Sequence, residues 1–147
     1  MGTKQERGIP YVRDRIRRSQ DRISNLTNDN RLRDVDEIWE AYYDVEEAIL
    51  ISKIIFGGFD QPDKMRTLNI PTDFDFFKLS DSEIRAKFES VGKNLSLAEL
   101  KLELSSGEET IESLRRARDE VKIMLLRPSK APKKAIRTGR GRRRTRS

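Results

Sequence analysis

The chain contains neither cysteine nor histidine among its 147 residues. Without cysteine there is no disulfide framework, no thiolate metal site and no thiol nucleophile. Without histidine the commonest general base, the commonest metal ligand and the usual triad partner are gone as well. Glycine and proline are sparse, at eight and five, and no glycine cluster has the context or spacing of a Walker or dinucleotide phosphate loop. The most apolar run, Ala48 to Phe56, is nine residues long and includes Lys53, far short of the roughly 20 residues that cross a bilayer. These gaps argue against an enzyme, a cofactor, a metal centre and a membrane span. The polar opening Met1 to Gly8 and the charged Arg13 to Arg18 do not read as a signal peptide. The expectation is a soluble, intracellular protein, cytoplasmic or, in a eukaryote, nuclear.

Acidic residues are missing from one more place, the last twenty positions, where nine Lys or Arg stand. Charge is strongly segregated along the chain. Residues 1–33 hold nine basic and four acidic residues, and residues 34–127 hold thirteen basic and twenty-one acidic. The basic ends therefore flank an acidic body, a pattern that points to a nucleic acid or another anionic partner for the ends. The tail from Pro128 to Ser147 is too charged and too poor in apolar groups to recover the entropy of folding, so it is expected to be disordered until bound.

The middle of the chain reads as helical. Ile9, Val12, Ile16, Ile23 and Leu26, with Ser19 in the same seam, give one narrow apolar stripe over about Pro10 to Leu26, with Pro10 at a first-turn position. Thr27 to Asn30 are turn formers. Asp34 and Glu37 have capping-box spacing before a second helix whose stripe of Val35, Ile38, Tyr42, Val45, Ile49 and Phe56 follows a heptad rhythm interrupted by Ser52. Leu50, Ile51, Ile54 and Ile55 widen that stripe toward a core or oligomer interface, and Gly57-Gly58 ends it. Residues 57–79, with Pro62 and Pro71, form a long connection too apolar for a free linker. A loop of this length is functional or hides a short element.

Three further starts carry capping spacing: Ser80 with Glu83, Ser96 with Glu99, and Ser106 with Glu109. The first predicts a helix bearing Ile84, Phe88 and Val91 and stopping near Gly92. The second predicts a short helix with Leu97, Leu100 and Leu104, with a short strand as its alternative. The third predicts a helix with Ile111, Leu114, Val121, Met124 and Leu125 that stops before Pro128. The expected architecture is all-α, a small bundle of four to five helices. It spans residues 9–127, after a flexible 1–8 and before the disordered basic tail 128–147.

Phosphate recognition is the chemistry these residues suit. Lys130, Lys133, Lys134, Arg137, Arg140, Arg142, Arg143, Arg144 and Arg146 are the candidate contacts, because the guanidinium fork binds phosphate bidentately and stays charged. Glycine between the arginines keeps the backbone close to a phosphate chain. The Gly–Arg alternation is of a kind that tracks single-stranded nucleic acid, although it does not separate RNA from DNA. Nuclear targeting and simple solubilisation are the competing readings of the tail. Arg15, Arg18 and Arg22 share one face of the first helix and extend the candidate footprint, against the alternative that Asp14 and Asp21 pair with them.

Glu37, Glu40, Asp44 and Glu47 line the second helix and could offer oxygens to a hard cation, but a solvated face is the plainer reading. Trp39, Tyr42, Tyr43, Phe74, Phe76 and Phe77 are candidate partner contacts. The aspartates beside the phenylalanines repel phosphate, and core packing is the competing fate of these rings. The sequence thus predicts a non-enzymatic nucleic-acid-binding or packaging protein, nucleocapsid-like, whose tail contacts RNA or DNA largely without sequence preference. The alternative is a protein-interaction subunit, a homo-oligomer or part of a larger cellular or viral assembly, using the second helix and the Phe-rich loop.

Overall fold

The computed structural model describes residues 4–57 and 73–126, and within them the chain forms four α-helices and one short 3-10 helix. The helices are α1 (Lys4–Asn28), α2 (Val35–Phe56), α3 (Asp81–Glu103) and α4 (Gly107–Leu125), with the 3-10 turn Phe76–Lys78 before α3. No strand occurs among the described residues. The all-α reading holds. The tail 128–147 and most of the connection after α2 lie outside the described residues. Among the described helices none is long and apolar enough to cross a membrane.

Local chemistry sets most of the helix ends. The Asp34 side chain accepts from the Glu37 N–H at the start of α2, and Gly57 closes that helix at φ 92°, a left-handed conformation that glycine enters without a Cβ clash. Ser80 and Glu83 form a complete capping box at α3. Ser106 starts α4 without a side-chain bond to the backbone; its hydroxyl instead donates to Glu109 Oε1 at 2.9 Å. The capping motif marked the right start there but works between side chains.

Two boundaries differ from the sequence expectation. α1 begins at Lys4, so Pro10 stands inside a helix rather than in its first turn, and the residues after Lys4 are not a separate flexible arm. Proline there gives up one backbone donor, a loss the packed stripe Val12, Ile16, Ile23 and Leu26 outweighs. Gly8 explains why this early turn is held. A Cβ on it would lie 2.3 Å from Ile55 Cγ2, so the missing side chain lets α1 close on the end of α2.

The second difference is α3, one 23-residue helix where two were expected. Gly92 costs about 1 kcal/mol relative to alanine in a helix interior. The buried series Ile84, Phe88, Val91, Leu95, Ala98 and Leu102 runs straight across it at 4-3-4-3-4 spacing. Ser96 is therefore not a cap but an exposed mid-helix residue, and Leu97, Leu100 and Leu104 face solvent rather than the core.

The helices pack as a ring in the order α1, α2, α4, α3. Each neighbouring pair is antiparallel. Ser19 of α1 meets Ala41 of α2 while Gly8 meets Ile55. Arg13, Arg17 and Gln20 of α1 meet Glu103, Glu99 and Ser96 of α3. Arg118 of α4 meets Glu46 of α2, and Glu120 meets Ser90 and Asn94 of α3. It follows that α2 and α3 run in the same direction on opposite corners. A hairpin cannot join such a pair, so the 24 residues between them must return the length of a helix of about 33 Å. That crossover is why the connection is long. Its last part supplies Phe76, fully buried beside Phe88 with ring centroids 6.1 Å apart. Arg33 ties this stretch to the α1–α2 turn by donating to the carbonyls of Phe77 and Leu79 and to Asp81.

The core is apolar except at a few seam positions. Ser19, fully buried, donates to the Ala41 carbonyl at 3.2 Å, so its small side chain both admits α2 and satisfies its own hydroxyl. Ser52, at the break in the α2 rhythm, is buried too, and its hydroxyl has no hydrogen bond.

Candidate functional site

The arginine face of α1 does not stand free. Arg15 pairs with Asp14 at 2.8 Å and with Glu47 of α2 at 3.4 Å. Arg18 pairs with Asp14 at 3.3 Å across one helical turn. Arg22 reaches Asp44 at 3.1 Å and Glu37 at 3.2 Å, both on α2. On the other flank Arg13 donates to Glu103 at 2.6 Å, and Arg17 donates to Glu99 through two nitrogens at 3.0 and 2.8 Å. The narrow apolar stripe of α1 is thus bordered by cations on both sides, each facing an acid. Of the three arginines offered as phosphate contacts, Arg18 is the most exposed, while Arg15 is shared between Asp14 and Glu47 and Arg22 faces Glu37 and Asp44.

The carboxylate row of α2 is occupied by the same contacts. Glu37, Asp44 and Glu47 each face an arginine of α1, and of the row Glu40 and Glu47 are exposed. Among the described residues no group of three or more acidic residues is arranged to hold a metal ion. The basic and acidic faces read as two separate candidate sites are the two halves of one helix–helix interface.

Electrostatics at its centre is shaped by desolvation. Burial pushes the Asp44 carboxyl up from its ordinary value, and the hydrogen bond and charge of Arg22 oppose this without overcoming it. For Arg22, burial works against the cation, but the Asp44 bond and charge, with those of Glu37, outweigh it and raise the guanidinium. The pair is therefore structural. Arg22 donates through Nε to Asp44 and through Nη1 to Glu37, so most of its charge is answered by α2.

A second ionic cluster was not foreseen. Arg118 is almost fully buried, 3.1 Å from Asp119 and 3.6 Å from Glu46 across the α2–α4 contact. Tyr42 donates to Glu46 at 3.2 Å, and burial followed by the Glu46 charge and bond raises its phenol. The signal was in the sequence. Arg118 falls at a seam position of the series Ile111, Leu114, Val121 and Leu125, where a heptad calls for an apolar residue.

The aromatic candidates divide between core and surface. Phe76 belongs to the core, and Phe74 and Phe77 are half-buried against it. Asp75 accepts from the Phe77 N–H at 3.0 Å, so at least one aspartate of this loop serves the turn. Tyr42 is half-buried, whereas Trp39 and Tyr43 are exposed on α2 and stack on each other with centroids 5.6 Å apart.

The broad concavity between α1 and α3, about 990 Å³, is open and walled by small polar groups such as Ser24, Thr27 and Ser82, over Ile23 and Phe88. Its Arg85 is already bonded to the Thr27 carbonyl and Asn30. It gathers no convergent chemistry. The nine basic tail candidates, Lys130, Lys133, Lys134, Arg137, Arg140, Arg142, Arg143, Arg144 and Arg146, lie outside the described residues. No protein-family model matches the chain, and no curated protein and no solved structure matches it.

Proposed function

We propose that the chain is a non-enzymatic nucleic-acid-binding or packaging protein that uses its C-terminal basic segment to neutralise phosphates, largely without sequence preference. The observation that carries this is where positive charge is left over once the helices have paired. Residues 4–57 and 73–126 hold nineteen basic and twenty-three acidic residues, while residues 127–147 hold ten basic and no acidic ones. The five α1 arginines from Arg13 to Arg22 face acids of α2 and α3 or of α1 itself. A polyanion approaching this protein therefore finds its counter-charge in the last twenty-one residues. Nine or ten cations displacing condensed counterions give a steep salt dependence, with a log–log slope of about −8 or −9 on duplex DNA.

The test compares the full chain with a chain ending at Arg127, each titrated with labelled DNA and RNA across a salt series. Binding by the full chain whose salt slope collapses on truncation is the expected result. Equal binding by both forms, or by neither, overturns the reading.

One observation favours a second reading, in which the chain is a subunit of a larger assembly. Trp39 and Tyr43 are held out to solvent on a rigid helix, and exposed aromatics of this kind are common at protein contacts. Under that reading the truncated chain keeps its partner.

A further inference from the structure

The outer face of α2 carries an apolar ridge that the bundle does not use. Trp39, Tyr43, Leu50 and Ile54 are 40%, 53%, 50% and 44% exposed. In a helix of 3.6 residues per turn these positions fall within an arc of about 60° and extend over about 22 Å of axis. Scattered exposed apolar residues need no explanation, but an aligned row of four large ones marks an interaction surface.

The row is palindromic. Positions 39, 43, 50 and 54 are symmetric about the point midway between Glu46 and Glu47. A two-fold axis through that point sets Trp39 opposite Ile54 of a second copy and Tyr43 opposite Leu50 of that copy. Each contact then occurs twice, as an isologous interface requires. Rings face branched aliphatic side chains, so large groups alternate with smaller ones along the seam. Like charge near the axis is answered within each chain. Glu46 and Glu47 flank the ridge rather than crown it, and they face Arg118 at 3.6 Å and Arg15 at 3.4 Å.

We propose that this ridge is a homodimer interface, in which two copies pack α2 against α2 antiparallel about an axis between Glu46 and Glu47. The inference does not depend on the tail binding phosphate. Leu97, Leu100 and Leu104, another exposed apolar row, lie at spacings of three and four, so no single two-fold axis across the helix exchanges all three among themselves, and they provide the control surface.

Sedimentation equilibrium of the nuclease-treated full chain across the micromolar range tests the proposal. The expected mass is twice 17.1 kDa. Leu50→Glu returns it to the monomer mass with unchanged helical circular dichroism, while Leu100→Glu leaves the dimer intact. Should Leu50→Glu lose its helical signal, Tyr43→Glu takes its place. A monomer mass at every concentration, or a dimer that survives charge on the ridge, would each overturn it.

Discussion

Two stretches of this chain look alike in composition and differ in what surrounds them. α1 carries five arginines between Arg13 and Arg22, and the segment Arg140 to Arg146 also carries five. In α1 every one of the five meets a carboxylate, on α2, on α3 or on its own helix. In residues 128–147 there is no carboxylate within the segment and no apolar stripe to dock it. A count of basic residues is therefore not a footprint. What separates the two is the stripe of Val12, Ile16, Ser19, Ile23 and Leu26, which presses α1 between two acid-bearing helices and so chooses partners for its flanking cations.

The largest expected effect comes from removing each set of five in turn. Changing Arg140, Arg142, Arg143, Arg144 and Arg146 to Gln should lower the salt slope of nucleic-acid binding by about 4 and leave the thermal midpoint where it was. Changing Arg13, Arg15, Arg17, Arg18 and Arg22 to Gln should do the opposite, lowering the midpoint and sparing the slope. If the α1 set lowers the slope as much as the tail set, the contrast between the regions is wrong.

Within α1 the centre of the interface should matter most. Arg22→Ala leaves the buried Asp44 without its principal partner, at a cost of about 1 to 2 kcal/mol once partial solvent access is allowed for. The double variant Arg22→Ala with Asp44→Ala should cost less than the two single changes together, because the stranded charge is gone. Strict additivity in urea unfolding would show that the two do not act as a pair.

Acidity separates this buried carboxylate from an exposed one. Asp44 is raised in the folded chain, so its contribution to stability is complete below the ordinary carboxylate value of about 3.9. That contribution is lost as pH climbs through the raised value. Glu83 is lowered by the Ser80 backbone and side-chain bonds, so its contribution is present above the ordinary range and is lost as pH falls through the lowered value. Asp44→Asn should therefore improve relative to the parent as pH rises from about 4, and Glu83→Gln should fare worse over the same rise. Urea midpoints from acid to neutral pH distinguish the signs.

The smallest effect belongs to the rim. Arg17 is largely exposed opposite Glu99, and Arg17→Ala should cost no more than about 1 kcal/mol. A loss as large as that of Arg22→Ala would mean the α1–α3 edge is as dry as the α1–α2 centre.

Much of the bundle was legible along the chain because it rests on local rules. Asp34, Gly57 and Ser80 announce helix ends through bonds to backbone three or four residues away, and the stripes of α1 and α2 follow from helical period alone. The reading failed where a local signal met a longer one. Gly92 and Ser96 look like a stop and a start, yet the seam from Ile84 to Leu102 passes through both, because burying six side chains outweighs one glycine. The exposed Leu97, Leu100 and Leu104 misled for a related reason, since leucine at helical spacing names a face without saying whether a neighbour covers it.

By itself the sequence determined the helical class, most of the caps, the seam of α1 with its buried Ser19, and a charge distribution that leaves the last residues strongly basic. Tertiary structure alone decided that α2 and α3 run the same way and need a crossover. It also decided that Arg15 and Arg22 of α1 meet carboxylates of α2, and that Arg118 reaches Glu46 across the α2–α4 contact. Caps and stripes are set by residues within a turn or two of one another. Ion pairs between helices depend on register and direction, which exist only once the apolar faces have packed.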